Sequence, residues 1–160
     1  MMFLRIGNSL DKGSTWFTDP DIGASYAKEF MNCSNNQTYY NAMGADYEEV
    51  FRSWGYCAPE LAAKAIFDHR DLFEVKPEEV KFVDLGCGTG LCGQALKKEG
   101  FERFIGVDFA QVLLDEAKKK NVYKKLKHLD LLDRLPFQDN LFDCAVGTGV
   151  TCHLSEVSCA

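Results

Sequence analysis

The stretch VDLGCGTG carries three glycines at alternate positions, directly after an apolar run that contains one acid. Glycine loses much backbone entropy on folding and offers no side chain to a core, so three of them together require a specific cause. Gly86 suits a sharp exit from a strand, Gly88 a close approach of backbone to a ligand, and Gly90 close packing where a helix begins. The pattern predicts a ligand-binding turn.

The spacing of these glycines discriminates between two kinds of ligand. The dinucleotide fingerprint G-x-G-x-x-G delivers a pyrophosphate to a helix N-terminus, whereas the spacing here is G-x-G-x-G. Asp84, two residues before the first glycine, would be a poor neighbour for a pyrophosphate and a good one for a cationic amine. A nicotinamide cofactor is therefore disfavoured, although it stays open as an alternative.

From Pro77 onward, short apolar runs alternate with helical segments, and this alternation predicts the elements that position the turn. The predicted strands are KFVDL, FIGVD, LKHLD and FDCAVGTG, and the predicted helices are Leu91 to Glu99 and Ala110 to Lys120. Such alternation is typical of a parallel sheet with crossover helices, so we expect a Rossmann-like α/β fold.

Two amphipathic helices are predicted before the first strand. In YEEVFRSWG the apolar residues Tyr47, Val50 and Phe51 share one helical face. A second helix begins near Pro59 and has Leu61, Ala65 and Ile66 on one face. Residues 1 to about 37 lack sustained periodicity, apart from a short helix expected near Ser25 to Met31. We therefore expect an N-terminal arm at 1–37 and a ligand-binding domain at 38–160.

The motif D-x-G-x-G-x-G after a strand, followed in order by GVDFA, HLDLL and LFDCAVGTG, resembles the class I methyltransferases that use S-adenosylmethionine. The resemblance implies that Asp108 holds both ribose hydroxyls, that Asp130 and Leu131 contact the adenine, and that the end of the fourth strand borders the methionine part. The cofactor-binding set that the resemblance implies is Asp84, Gly86, Cys87, Gly88, Gly90, Asp108, Phe109, Asp130, Leu131 and Gly147.

Several of these residues also have a purely structural interpretation. Asp130 could cap a turn, Cys87 could serve in packing, and Tyr39, Tyr40 and Tyr47 could belong to the core rather than cover the ligand. No catalytic residue is expected, because transfer of an activated methyl group needs alignment and exclusion of water rather than an obligatory acid or base. His153 is expected to be a surface histidine.

The resemblance also implies a seven-stranded sheet, whereas only four strands can be assigned here. We therefore expect the N-terminal half of such a domain, truncated after the fourth strand, with that strand as an unpaired edge through which the chain could self-associate. Activity of the chain is then open: it is a methyltransferase, a non-catalytic S-adenosylmethionine-binding or regulatory fragment, or, third, an NAD-dependent oxidoreductase.

Composition limits the partners and the location. The net charge of −6 opposes the basic field that a nucleic-acid binder uses, so a small-molecule acceptor is favoured. Seven cysteines without a C-x-x-C pair indicate reduced thiols in the cytoplasm or nucleus and argue against a zinc site. No apolar run approaches the roughly 18 residues that a membrane span requires, and no secretory signal is expected.

Overall fold

The computed structural model describes residue 40, residues 43–53 and residues 55–150. The predicted N-terminal arm, its short helix at Ser25 to Met31, Tyr39 and His153 lie outside these residues. The described part begins with a short helical stretch and continues as an alternation of strands and helices.

Four parallel strands form one sheet in the order β3-β2-β1-β4. Their bounds are β1 Lys81–Leu85, β2 Arg103–Asp108, β3 Lys125–His128 and β4 Cys144–Val146. The central β1 pairs Val83 with Ile105 on one side and with Ala145 on the other. The predicted α/β class and the four strands are thereby confirmed.

Among the residues that the structure describes, these α-helices accompany the sheet: α1 Tyr47–Ser53, α2 Ala58–Asp68, α3 Leu91–Lys98 and α4 Gln111–Lys119. Three short 3₁₀ turns lie at Gly44–Asp46, Arg70–Leu72 and Pro77–Glu79. The α3 helix connects β1 to β2, and α4 connects β2 to β3, as the alternation of patterns predicts. None of the described helices combines the length and apolar composition needed to cross a membrane.

The buried face of α2 differs from the sequence prediction. Leu61 is 56% exposed, whereas Pro59, Ala63 and Ile66 are buried. These three residues follow the spacing i, i+4 and i+7, which is equally helical but lies on a neighbouring stripe of the cylinder. The prediction of Leu61 as part of the buried face was therefore wrong, while the helix itself is confirmed.

An aromatic cluster forms the core between the sheet and the helices α2 and α3. Phe82 of β1 contacts Phe101 edge to face at a ring separation of 5.0 Å and lies 5.6 Å from Phe104 of β2. Residues of α2 and α3 complete this cluster, among them Ile66 and Leu96. This packing fixes the frame from which the carboxyl ends of β1 and β2 project.

A second, smaller cluster joins the N-terminal helical segment to the start of α4. Tyr40 and Met43 are buried against Ala110 and Leu113. The ring of Tyr40 also meets Phe109 edge to face at 6.0 Å. The segment that precedes α1 is thereby packed beside the carboxyl end of β2, where the sequence motifs predict a ligand.

Candidate functional site

The glycine-rich loop, residues 86–90, leaves β1 and is tied at once to the neighbouring strand. The backbone N–H groups of Gly86 and Cys87 both donate to the carbonyl of Val107, at 2.9 Å. At Gly90 the φ angle is +90°, and a Cβ would lie 2.9 Å from the ring of Tyr123. This close approach confirms that a glycine is needed where α3 begins.

Gly88 differs from its neighbours because its outer side is open. Its φ angle is +51°, and a Cβ at this position would meet no atom within 4 Å. The flanking residues Cys87 and Thr89 are buried, at 5% and 2% exposure. A bare stretch of backbone therefore faces free space at the centre of the loop.

Asp108, at the end of β2, holds this loop from the adjacent strand. Its Oδ2 accepts a hydrogen bond from the N–H of Gly88 at 2.8 Å, and its Oδ1 accepts one from the N–H of Ala110 at 2.8 Å. Burial raises the pKa of this carboxyl, and the backbone hydrogen bonds offset part of that rise. The structure thus brings Asp108 and the glycine-rich loop together.

Asp84 lies beneath the loop and has no exposed surface. Its Oδ2 accepts a 2.6 Å hydrogen bond from the hydroxyl of Tyr123, while its Oδ1 has no hydrogen-bond partner among the described residues. Burial raises the pKa of Asp84 to about 7; the charge of Asp108 adds to the rise and the Tyr123 hydroxyl opposes it. Direct contact of Asp84 with an amine stays a prediction.

A cleft of about 250 Å³, including the part open to solvent, lies against the glycine-rich loop. The loop contributes Gly86, Gly88 and Thr89 to its wall. Tyr47 of α1 and Tyr56, between α1 and α2, also line it, and Thr148 lines it from the segment after β4. The cleft therefore lies at the carboxyl ends of the strands, where α/β proteins bind ligands.

Of the predicted site residues, Gly86, Cys87 and Gly88 line this cleft, whereas Asp84, Gly90, Asp108 and the remaining ones lie outside its lining. Phe109 is half-buried against Tyr40, and Gly147 is exposed after β4. Asp130 is exposed, and its Oδ1 accepts a hydrogen bond from the N–H of Leu132 at 2.9 Å, which is the turn-capping arrangement left open by the sequence. Leu131 is half-buried in the same turn.

Buried thiols contribute to the wall of the cleft. Cys87 and Cys92 both line it, and burial raises the pKa of each thiol well above its ordinary value. Both thiols are therefore neutral near pH 7, which fits a packing role. The described residues contain no group of three or more His, Cys, Asp or Glu side chains that could hold a metal ion.

An ion pair that the sequence analysis did not anticipate fixes α1 beside the loop. Glu48 of α1 pairs with Lys120, just after α4, and the two side chains are only 25% and 14% exposed. Burial raises the pKa of Glu48. The ammonium group of Lys120, the hydroxyl of Thr89 and the charge of Arg52 lower it, and the net shift is downward. Nothing in the local sequence pattern indicates this contact.

The comparisons agree with this geometry. Residues 82–159 match the family described as "Methyltransferase domain". A solved structure from Methanococcus maripaludis, described as a candidate S-adenosyl-L-methionine-dependent methyltransferase, shares the fold with a TM-score of 0.58 at 20% identity, over 78% of this chain and 57% of that chain. Residues 82–159 are therefore similar to this methyltransferase family, and the described part of the chain shares its fold with a solved structure of that kind.

Two curated proteins are also similar to this chain. The chain is 28% identical to methyltransferase-like protein 27 of Homo sapiens over 112 residues, which cover 69% of this chain and 44% of that protein. It is 29% identical to 24-methylenesterol C-methyltransferase 2 of Arabidopsis thaliana over 136 residues, which cover 75% of this chain and 37% of that protein. The chain therefore matches less than half the length of either relative.

Proposed function

We propose that the protein binds S-adenosylmethionine in this cleft and transfers its methyl group to a nucleophile on a small-molecule acceptor. The observation that carries the proposal is the open side of Gly88 between the buried residues Cys87 and Thr89. Free space above bare backbone, beside the acid that ends β2, suits a nucleoside ligand with a cationic amino-acid part.

Asp108 is proposed to hold the ribose while it continues to hold the loop. Each carboxylate oxygen can accept two hydrogen bonds, and the backbone N–H groups of Gly88 and Ala110 take one on each oxygen. The N–H of Phe109 also interacts with this carboxyl, and acceptor capacity still remains for a ligand hydroxyl group. Because the carboxyl group is only 5% exposed, charge-assisted hydrogen bonds to it are less weakened by water than bonds at an open surface.

The described residues supply alignment and shielding. When bound, S-adenosylmethionine supplies an already activated methyl carbon, so the protein mainly has to orient the partners and exclude water. Tyr47 and Tyr56 cover the cleft from the N-terminal side, and Thr148 borders it beyond β4. The proposed binding set also includes Phe109 and Gly147, together with the turn that contains Asp130 and Leu131.

A small acceptor is proposed because the net charge of −6 disfavours a polyanionic partner. We also propose that 38–160 acts as the ligand-binding domain, with 1–37 as an arm, and that the protein resides in the cytoplasm or nucleus. The small acceptor is proposed from the net charge and the division at residue 37 from the helical periodicity that begins after it. The compartment is proposed from the unpaired pattern of the cysteines.

A second candidate is a chain that binds S-adenosylmethionine without turning it over. The observation that favours it is the chemistry of the cleft: no carboxylate or imidazole of the described residues lines it, and its two thiols are neutral. Activation of an acceptor therefore has no assigned residue. The third candidate, an NAD-dependent oxidoreductase, is disfavoured by the glycine spacing and by Asp84 beneath the loop.

Calorimetric titration with S-adenosylhomocysteine and, separately, with NADH tests the proposal. We expect binding of the former alone, and Asp108→Ala should weaken it at least tenfold, or about 1.4 kcal/mol. Asp115→Ala, on the exposed side of α4, is the matched control and should bind normally. Binding of NADH alone would overturn the proposal, and labelled methyl transfer to a small-molecule extract would separate the enzyme from the binding fragment.

A further inference from the structure

Three glycines leave room for the ring of Tyr123, which lies between α4 and β3. A Cβ at Gly90 would be 2.9 Å from its Cε2, one at Gly93 would be 2.6 Å from its Cζ, and one at Gly106 would be 3.0 Å from its Cδ1. These glycines belong to the loop, to α3 and to β2. The ring thus excludes side chains at Gly90 and Gly93, and at Gly106 it shares that role with Cys87 and Leu126, whose side chains lie nearer, at 2.8 Å.

The hydroxyl of Tyr123 replaces a missing helix cap. The N-cap of α3 is Gly90, which has no side chain to accept a hydrogen bond from the first turn. Instead, the N–H of Gly93 in that turn donates to the Tyr123 hydroxyl at 3.2 Å. An interior helical glycine costs about 0.5–1 kcal/mol relative to alanine, and here it permits this approach.

The same hydroxyl donates to Oδ2 of Asp84 at 2.6 Å. One oxygen atom therefore joins the end of β1 to the start of α3, which are the two ends of the glycine-rich loop. The contact also occupies Oδ2 and leaves the buried Oδ1 of Asp84 without a hydrogen-bond partner among the described residues. A buried oxygen without a partner is costly, and a donor reaching it would be favoured.

We propose that Tyr123 is a positioning residue of the ligand site, which holds the glycine-rich loop in its binding conformation through the bridge Asp84–Tyr123–Gly93. This inference rests on the proposed function. Tyr123 is absent from the lining of the cleft, so it acts through the loop rather than by touching the ligand. A ring that served only as packing beside Phe104 would tolerate loss of its hydroxyl.

Tyr123→Phe tests the bridge because it keeps the ring in the space left by the glycines and removes only the hydroxyl. We expect affinity for S-adenosylhomocysteine to fall at least tenfold in calorimetry. Phe104→Leu is the matched control: it cuts packing beside the same ring, so it should lower the melting temperature and leave the affinity within about twofold. A Tyr123→Phe protein with unchanged affinity would overturn the proposal.

The pH dependence of binding gives a readout that packing alone would not move. Asp84 faces the Tyr123 hydroxyl, the carboxyl of Asp108 and the neutral thiols of Cys87 and Cys92. Because Tyr123 lowers the pKa of Asp84, its loss should raise that pKa further. The increase of affinity for the amine-bearing ligand, expected as pH rises through about 7, should then occur at higher pH.

Amide hydrogen exchange of the ligand-free protein separates this proposal from the proposed function. Tyr123→Phe should accelerate exchange at Gly93 and in residues 86–90 at least tenfold, while amides of the β1–β2 ladder remain protected. Unchanged exchange in the loop would overturn the positioning role. Failure of the unmodified protein to bind S-adenosylhomocysteine would instead overturn the proposed function, and the exchange result would still decide the role of Tyr123.

Discussion

At the scale of single residues, Gly88 is the position where we expect the backbone to approach the proposed ligand most closely. Gly88→Val should abolish binding of S-adenosylhomocysteine, because the branched side chain would fill the open space beside the loop. Gly100→Val is the matched control: Gly100 also has a positive φ, of +91°, and open surroundings, but it lies at the far end of α3. Both variants should lose stability, and calorimetry should find binding only in the second.

Asp84 predicts an unusual pH dependence of stability. Its pKa is about 7 in the folded protein and near 3.8 in a free chain, so the folded state binds more protons in between. Its contribution to stability is therefore fully present below about pH 3.8 and is lost as pH rises to about 7.

Asp84→Asn should remove this dependence and still offer an oxygen to Tyr123. Between pH 4 and 7.5 the variant should gain on the unmodified protein by on the order of 4 kcal/mol in urea denaturation, since one pKa unit corresponds to about 1.4 kcal/mol. Asp115→Asn, at an exposed position of α4, controls for the change in charge. If the stability of Asp84→Asn and that of the unmodified protein changed equally with pH, this result would contradict a raised pKa at Asp84.

Local patterns predict Gly88 and Asp108 but not Tyr123. The loop motif and the acid at the end of a strand are visible in a few consecutive residues, and the fold then brings them together through the pairing of β1 with β2. Tyr123 meets Asp84 and Gly93 only after the chain has crossed the sheet twice. Its aromatic side chain has no periodic signal that would separate it from ordinary core residues.

At the scale of elements, the ion pair between Glu48 and Lys120 fastens α1 to the ligand-binding part of the molecule. The pKa of Glu48 is lowered, so its stabilising contribution is present above pH 4.5 and is lost as pH falls through its folded-state pKa. Glu48→Gln should reduce the free energy of unfolding by about 1–2 kcal/mol at pH 7, with the difference shrinking in acid.

The exposed pair of Glu116 with Lys119 provides the comparison, because it lies within one helix and Lys119 is 70% exposed. Glu116→Gln should cost less than about 0.5 kcal/mol. Equal costs for the two variants would mean that the Glu48 pair does not hold α1 in place.

The observed bounds of α3 and α4 differ from the predicted ones by at most one residue at each end. The predicted helix Leu91 to Glu99 is observed as Leu91–Lys98, and Ala110 to Lys120 as Gln111–Lys119. The run FDCAVGTG forms a strand only at Cys144–Val146. Just before it, Asp143 N–H donates to the Lys81 carbonyl at 2.9 Å, but Lys81 N–H donates to the Asp143 side chain at 2.8 Å instead of to backbone. Side-chain competition of this kind is invisible to periodicity.

At the scale of the whole molecule, β3 and β4 are the two outer strands of the described sheet. Exposed outer strands can pair with other chains, so we predict concentration-dependent association in size-exclusion chromatography with light scattering. Ala145→Lys places a charge on the exposed part of β4 and should shift the equilibrium towards monomer. Val75→Lys, an exposed site away from the sheet, should not; a concentration-independent monomer would refute the prediction.

The space that glycines leave for the ring of Tyr123 has a consequence for inheritance and for engineering. Gly90, Gly93 and Tyr123 form one unit, because a side chain gained at either glycine would come within 2.9 Å of the Tyr123 ring. A transplant of the glycine-rich loop into another parallel sheet would therefore fail if it copied only the contiguous motif. The set of residues that such a transplant has to include is discontinuous, and its last member, Tyr123, follows α4, the second crossover helix.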